Sequence, residues 1–219
     1  MKLAYSHLLR LLKDKPSKKE ISDLLFQLGH EHELENNIFD LEITPNRGDC
    51  LSLNGIARDL NFFYPMKSNT KVYSGNLKKF NPKLKNESEE ICPNISFLEI
   101  EITGKVKKYK DYLENYFKDL GINKNNFFTD ISNYLAYETG QPTHCFDATK
   151  MDGTFKLEKI KKNEKFKTLL DDEIELKGQN LVFTLDNKTI SLAGVMGGKS
   201  TSCSNSTTKV WVECAYFKP

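Results

Sequence analysis

The stretch Gly140-Gln-Pro-Thr-His-Cys-Phe-Asp147 places an imidazole, an aromatic ring and a carboxylate within four residues, directly after a turn that a proline stiffens. Adjacent side chains of an extended segment point to opposite faces, so Cys145 and His144 are not expected to form a nucleophile pair. A histidine near an aspartate is more often a structural hydrogen-bonded pair than a functional one. The stretch therefore predicts an extended segment in which His144 is either structural or part of a site.

The sequence around this stretch predicts a strand-rich second half of the chain. A strand is predicted over 95–106, and a helix over 109–120 that Gly121 ends. Alternating apolar and polar residues predict four further strands, at Phe155–Ile160, Leu181–Leu185, Thr189–Ala193 and Val210–Cys214.

Two features of these strands are unusual. Glu213 is an acid in a largely apolar segment, where it would share a face with Trp211 and need a partner or a pocket; an exposed edge position fits the pattern equally well. The segment Ser191–Ser200 contains three glycines after a strand, but Ala193 stands where a phosphate loop needs glycine. The glycines instead indicate a backbone that lies close to another strand or to a ligand.

The first 66 residues predict a small α+β module. A helix is predicted over residues 3–13, and Ser17-Lys-Lys-Glu20 is a capping box for a second helix that Gly29 ends. A strand over 38–43 leads to a third helix, capped by Asp49, whose predicted buried residues are Leu53, Ile56, Ala57 and Leu60. His30 and His32 resemble a solvated helix end more than a metal site.

These patterns predict an α+β fold, with a helix and strand module over 1–66 and a mixed α/β module rich in strands over 93–219. Residues 67–92 are rich in Lys, Asn, Ser and Glu, which is typical of a linker or a long excursion.

The composition limits the functions that are open to the chain. It has 32 basic and 30 acidic residues among 219, so its net charge of +2 provides no global field for nucleic acid, and DNA binding is not expected. The five cysteines form no CxxC pair, which argues against a disulfide framework and a zinc site. We expect a cytoplasmic protein, because no signal peptide or membrane-spanning run is apparent.

Several motifs, in this order and spacing, resemble the N-terminal part of bacterial phenylalanyl-tRNA synthetase beta subunits. They are Glu42-Ile-Thr-Pro-Asn-Arg-Gly-Asp-Cys-Leu-Ser52, Gly55-Ile-Ala-Arg-Asp-Leu60, Asp130-Ile-Ser-Asn-Tyr134, Gly140–Asp147, Leu192-Ala-Gly-Val-Met-Gly-Gly198 and Glu213-Cys-Ala-Tyr-Phe-Lys-Pro219. The resemblance covers nearly the whole chain. It implies that the module over 93–219 is of the editing type, which hydrolyses tyrosine wrongly attached to tRNA(Phe).

The resemblance also implies a set of site residues. The editing pocket of the family falls here on Ser132, Asn133, His144, Ala193, Gly194 and Glu213. His144 and Glu213 match its catalytic positions, and Glu213 matches the acid that holds the tyrosine hydroxyl. Ala193 and Gly194 match small residues that leave room for the tyrosyl ring, and Ser132 with Asn133 matches a substrate-binding pair.

The resemblance implies partners and marks departures from the family. The expected partners are the synthetase alpha subunit, the tRNA(Phe) acceptor end and tyrosine; ATP and magnesium would belong to the complete synthetase, and no metal or cofactor is expected in this chain. Only a few residues separate Glu33 from Ile38, where the family carries an OB-fold tRNA-binding module. We expect a truncated subunit. A decayed structural, subunit-binding module and a free-standing trans-editing protein remain alternatives.

Overall fold

The computed structural model describes residues 1–67, 79–104, 106 and 108–218. Its helices and several separate sheets confirm the α+β class. The chain forms two compact units. The first unit comprises Met1–Asn76, Val106–Lys124 and Asn133–Pro142, and the second unit comprises Leu77–Lys105, Asn125–Ser132 and Thr143–Pro219.

In the described residues, the first unit combines a small sheet with four complete α-helices and the C-terminal part of a fifth. Its strands are β1 (Lys2–Ala4), β2 (His32–Glu35) and β3 (Ile38–Leu41), and its helices are α1 (Tyr5–Leu11), α2 (Lys18–Gln27), α3 (Leu53–Leu60) and α4 (Asp111–Leu120). The strands form an antiparallel sheet in the order β1-β3-β2. Buried leucines from the sheet and from α1, α2 and α3 share one core with Phe39.

The start of α2 confirms the predicted capping box, because the Ser17 hydroxyl accepts from the Glu20 amide and the Glu20 carboxylate accepts from the Ser17 amide. The prediction that Asp49 caps α3 was wrong. Ser52 is the cap, with its hydroxyl 3.0 Å from the Gly55 amide nitrogen, whereas the Asp49 carboxylate pairs with Arg47 and Arg58.

The predicted helix over residues 3–13 begins later than expected. Residues 2–4 form β1, in which Leu3 pairs with Phe39, and α1 follows from Tyr5. The apolar residues at the start of this segment fit a strand as well as a helix, so only their sheet partner decides between the two.

The second unit holds ten strands in three sheets, among the residues described. Their bounds are β4 (Lys85–Asn86), β5 (Asn94–Glu101), β6 (His144–Asp147), β7 (Phe155–Ile160), β8 (Glu164–Lys167), β9 (Glu173–Leu176), β10 (Asn180–Leu185), β11 (Lys188–Leu192), β12 (Met196–Gly197) and β13 (Lys209–Tyr216). The sheet orders are β12-β11-β10-β7-β4, β5-β13-β6 and β8-β9.

Four of the predicted strands are confirmed as β7, β10, β11 and β13. The sequence pattern did not predict α5 (Phe127–Thr139), whose Phe, Tyr, Thr and Ile residues favour strands. Helix α5 begins in the second unit and continues into the first after Ser132.

The proposed linker lies partly outside the described residues, at 68–78. Of the rest, residues 79–92 include β4, which pairs in parallel with β7, and the fully buried Cys92. No helix in the described part of the chain is long and apolar enough to cross a membrane.

One face of the β5-β13-β6 sheet packs into the core of the second unit. Phe146 and Trp211 lie on this face as register partners, and both rings contact Phe155 of the neighbouring sheet. This packing orients every second residue of β6 and β13 toward the interior of the unit.

Candidate functional site

His144 and Glu213 lie directly opposite each other in the second unit. Strands β6 and β13 run antiparallel, with Glu213 paired to His144 and Trp211 paired to Phe146. Directly opposed side chains in such a ladder have Cβ atoms roughly 4.5 to 5.5 Å apart. On the other side of β13, Phe97 of β5 is the register partner of Glu213. The inward face therefore presents an imidazole, a carboxyl group and a phenyl ring in one row.

Glu213 is buried without a compensating partner. Its residue surface is 8% exposed, and the carboxyl group makes no hydrogen bond or ion pair with any residue in the described ranges. Burial raises the pKa of Glu213 to about 7. At neutral pH the side chain is therefore divided between a carboxylate, which only accepts hydrogen bonds, and a carboxylic acid, which can also donate one.

The His144 ring is held by its packing. It meets the edge of Phe146 at a centroid distance of 4.4 Å, and its Nε2 is shielded from solvent with no hydrogen-bond partner in the described structure. Burial lowers the pKa of His144 to about 4, so the ring is neutral at physiological pH. A neutral imidazole offers one donor and one acceptor, which suits the orientation of a water molecule or an ester.

Gly197 of β12 and Gly194 of the turn before it each lie against an aromatic ring. A Cβ on Gly197 would stand 2.3 Å from His144 Cε1, so only glycine allows this approach. Gly194, at a φ of +72°, is close to a different ring, because its Cβ would stand 2.9 Å from Phe217 Cδ2. Ala193 is buried in the same core. Of these residues, Gly197 is the one beside His144.

Ser132 and Asn133, the remaining implied site residues, differ in their surroundings. The Ser132 hydroxyl is buried and lies 2.7 Å from the Thr143 carbonyl oxygen, next to His144 in the chain. Asn133 is exposed and belongs to the first unit. The structure therefore places Ser132 in the second unit with His144 and Glu213, whereas Asn133 belongs to the first unit.

Cys145 points away from His144, as expected for neighbours on a strand. Its thiol lies 3.8 Å from the Phe128 carbonyl oxygen, and burial raises the pKa of Cys145 to about 12. A thiol in this environment stays protonated and is a poor nucleophile.

A second cluster of potential ligands lies in the first unit. His30, Cys50 and Asp59 offer donor atoms within 4.8 Å of one another. Arg47 Nη2 lies 2.8 Å from Cys50 Sγ and 2.5 Å from Asp59 Oδ2, and burial raises the pKa of Cys50 to about 11. The guanidinium supplies the positive charge that a metal would bring, so the cluster is a structural network. The expectation of a solvated His30 was wrong, since His30 is buried and pairs with Asp59.

Comparison with known proteins gives the class of this fold. The B3/4 domain family model matches residues 91–219, and the chain belongs to this family. The resemblance to phenylalanyl-tRNA synthetase beta subunits, which the motifs predicted, is confirmed by the relatives of the chain. The chain is 37% identical over 189 residues to the phenylalanine–tRNA ligase beta subunit of Fusobacterium nucleatum, covering 85% of this chain and 24% of the relative.

Other similarities agree with this assignment. The phenylalanine–tRNA ligase beta subunit of Acinetobacter baylyi is 30% identical over 218 residues, which is 97% of this chain and 26% of the relative. A crystal structure of an N-terminal fragment of the phenylalanyl-tRNA synthetase beta subunit from Pyrococcus horikoshii shares the fold, with a TM-score of 0.51 and 18% identity over 100% of this chain and 68% of that one. The chain spans about a quarter of the length of the curated relatives it matches.

Proposed function

We propose that this chain acts within a phenylalanine–tRNA ligase as the module that removes tyrosine from mischarged tRNA(Phe). The observation that carries the proposal is the facing pair of His144 and Glu213: the half-buried His144 has a shielded Nε2 without a partner, and the buried Glu213 makes no hydrogen bond or ion pair with any described residue. Buried polar groups normally find hydrogen-bond partners, and those that do not often mark a ligand site.

The chemistry of discrimination suits Glu213. A synthetic pocket built for phenylalanine rejects an analogue with one added hydroxyl by only about a hundredfold, so a second site that recognises the hydroxyl improves fidelity. A carboxylate that accepts the hydrogen bond of the phenol contributes on the order of 1.5 to 3 kcal/mol. Phenylalanine cannot form this bond, and Glu213 would therefore favour the tyrosyl ester.

The reaction is the hydrolysis of an ester. The oxygen of a water molecule attacks the carbonyl carbon of the tyrosyl group, the bond from that carbon to the ribose oxygen breaks, and a proton passes to the ribose oxygen. His144 is a weak base because burial lowers its pKa to about 4. Its role in this proposal is to orient the water or the ester through Nε2, which needs a partner.

The partners follow from the proposed context. The alpha subunit would supply the synthetic site with ATP and magnesium, and the acceptor end of tRNA(Phe) would carry the mischarged tyrosine. A free-standing trans-editing protein is the less favoured form of the same activity. The two forms differ in whether the chain releases tyrosine without an alpha subunit.

A second candidate function is a structural module with a decayed pocket. It is favoured by one observation: the Phe217 ring lies against Gly194, in space that the resemblance assigns to the tyrosyl ring. In this case the fold would serve subunit binding, and His144 and Glu213 would be relics of a former site.

The deciding experiment measures tyrosine release from tyrosyl-tRNA(Phe), with the chain alone and assembled with an alpha subunit. We expect release by the wild type, a loss of preference for tyrosine in Glu213→Ala, and no release in Ala193→Trp, whose indole would fill the site. Partial slowing is expected for His144→Ala. A wild type that is no faster than Ala193→Trp would establish the structural module instead.

A further inference from the structure

We propose that Leu169 is the gating residue of the His144–Glu213 site, and that the turn over residues 168–172 must swing outward to admit a ligand to His144. The ligand would be the aminoacyl ester of the proposed function, and the movement itself does not depend on that reaction. Nothing in the motifs marks Leu169, which becomes significant only through its position in the fold.

The turn between β8 and β9 is fastened to the β12 segment beside His144. The Leu169 amide donates to the Gly197 carbonyl oxygen at 3.0 Å, and Thr168 forms an antiparallel bridge with Gly198. At the tip, Lys199 Nζ lies 2.8 Å from Asp171 Oδ2. These contacts hold the Leu169 side chain over Gly197.

Gly197 brings the leucine and the histidine together. The position that a Cβ on Gly197 would occupy is 2.7 Å from Leu169 Cδ1 and 2.3 Å from His144 Cε1, so these two atoms lie within about 5 Å of each other. Leu169 is itself half-buried, and its neighbour Leu170 is 70% exposed. The half-buried Leu169 therefore lies beside the His144 ring, next in the chain to the exposed Leu170.

The closed arrangement is incompatible with the use of His144 Nε2. This atom is shielded from solvent and has no hydrogen-bond partner in the described structure, so a ligand that bonds to it must first displace a neighbour. Gly197 cannot retreat without breaking its ladder with Ser191. Leu169, on a turn, is the neighbour that can move.

The hairpin is built to move at its tip. Strands β8 and β9 pair with each other as a separate two-stranded sheet, and such hairpins are only marginally stable by themselves. Phe166 of β8 and Leu176 of β9 are buried in a small core. The turn itself is held by the Leu169–Gly197 hydrogen bond, the Thr168–Gly198 bridge and the exposed Asp171–Lys199 ion pair, and the ion pair is worth about 1 kcal/mol or less. Opening the turn therefore breaks only these few contacts and leaves the buried Phe166 and Leu176 in place.

The test compares Leu169→Ala with Leu170→Ala, a matched change on the adjacent exposed leucine. The measurement is hydrogen–deuterium exchange at the C2 position of each histidine, resolved by mass spectrometry across a pH series. We expect the pKa of His144 to rise by about one unit or more in Leu169→Ala, because water would reach the ring. Leu170→Ala should leave His144 unchanged, and His7, His30 and His32 act as internal references.

Asp171→Asn provides an independent variant, because it removes the ion pair at an exposed position and leaves every apolar contact in place. It should shift His144 in the same direction by a smaller amount. An unchanged His144 titration in Leu169→Ala and Asp171→Asn would overturn the gating role. If His144 shifts in these variants but no variant releases tyrosine from tyrosyl-tRNA(Phe), the gate stands and the proofreading function fails.

Discussion

At the scale of single residues, Glu213 is the acid of the site, and its burial raises its pKa well above the ordinary value of a glutamate. An acid whose pKa is about 7 in the folded chain and near 4.5 when unfolded binds its proton more tightly in the folded state. Its contribution to stability is therefore greatest below pH 4.5 and is lost as the pH rises toward 7. Above that pH the folded chain carries a buried carboxylate at a cost.

The first prediction follows from this sign. Glu213→Gln should raise the free energy of unfolding at pH 8 by up to about 3 kcal/mol, and by little at pH 4, because it removes the charge and nearly preserves the shape. Denaturation in urea at both pH values measures the difference. Glu101→Gln, at an exposed position on β5, is the control. A pH-independent gain in Glu213→Gln would contradict the argument. The low pKa of His144 contributes equally to the wild type and to Glu213→Gln, so it cancels in the difference between their free energies of unfolding.

The second prediction concerns selectivity and rests on the proposed function. The preference for tyrosyl over phenylalanyl ester should increase between pH 6 and pH 8, by up to about tenfold, because only the ionised form of Glu213 makes the charge-assisted bond to the phenol. Competition between the two mischarged tRNAs measures the preference. In Glu213→Gln the preference should be low and flat across this range, and a rise that persists in that variant would assign the effect to another group.

At the scale of the elements, the short strand β12 sets the depth of the site. Gly197 is one of its two residues, and it pairs with Ser191 of β11 while lying against the His144 ring. A side chain at this position would meet His144 and Leu169 simultaneously, so the strand would have to leave its ladder or the ring would have to turn.

The third prediction is that Gly197→Val lowers the free energy of unfolding by about 1 to 3 kcal/mol and abolishes any tyrosine release. Thermal unfolding followed by circular dichroism measures the stability. Gly48→Val is the comparison, since a Cβ at Gly48 has no neighbour within 4 Å in the structure. Equal melting temperatures for the wild type and Gly197→Val would show that β12 accommodates a side chain at this position.

At the scale of the whole molecule, the charges are nearly balanced, with 32 basic and 30 acidic residues. Many lysines of the second unit lie within 4 Å of an acid, for example Lys159 with Glu90 and Lys209 with Glu99. In the first unit, β2 and β3 are joined by Asn36, at a φ of +55°, and Asn37, at the position where the resembling family carries an OB-fold module. We therefore expect few phosphate contacts.

The fourth prediction is weak affinity for tRNA. The dissociation constant of the chain alone should exceed about 1 µM at physiological salt, and its logarithm should change with a shallow slope against salt, because each phosphate contact contributes roughly one to the slope. Fluorescence anisotropy with labelled tRNA(Phe), at salt concentrations from about 50 to about 200 mM, measures both the dissociation constant and the slope. Submicromolar binding with a steep slope would reveal a basic surface that the net charge hides.

The sequence by itself determined the features that local rules control. Period-two alternation predicted β7, β10, β11 and β13, and Ser17 with Glu20 predicted the start of α2, because each signal depends on neighbours in the chain. The motifs were also sufficient for the family, which the comparisons confirm. From the sequence, Glu213 could be placed on a strand, but its burial could not be decided.

Only the tertiary structure decided which distant residues meet. The register of β13 with β6 sets Glu213 opposite His144, and the β8–β9 turn brings Leu169 to the same ring. The segments 106–124 and 133–142 join the first unit, although the residues between them belong to the second. Such contacts depend on strand register and on the packing of whole faces, which local periodicity does not encode; a shift of one residue would have turned Glu213 outward.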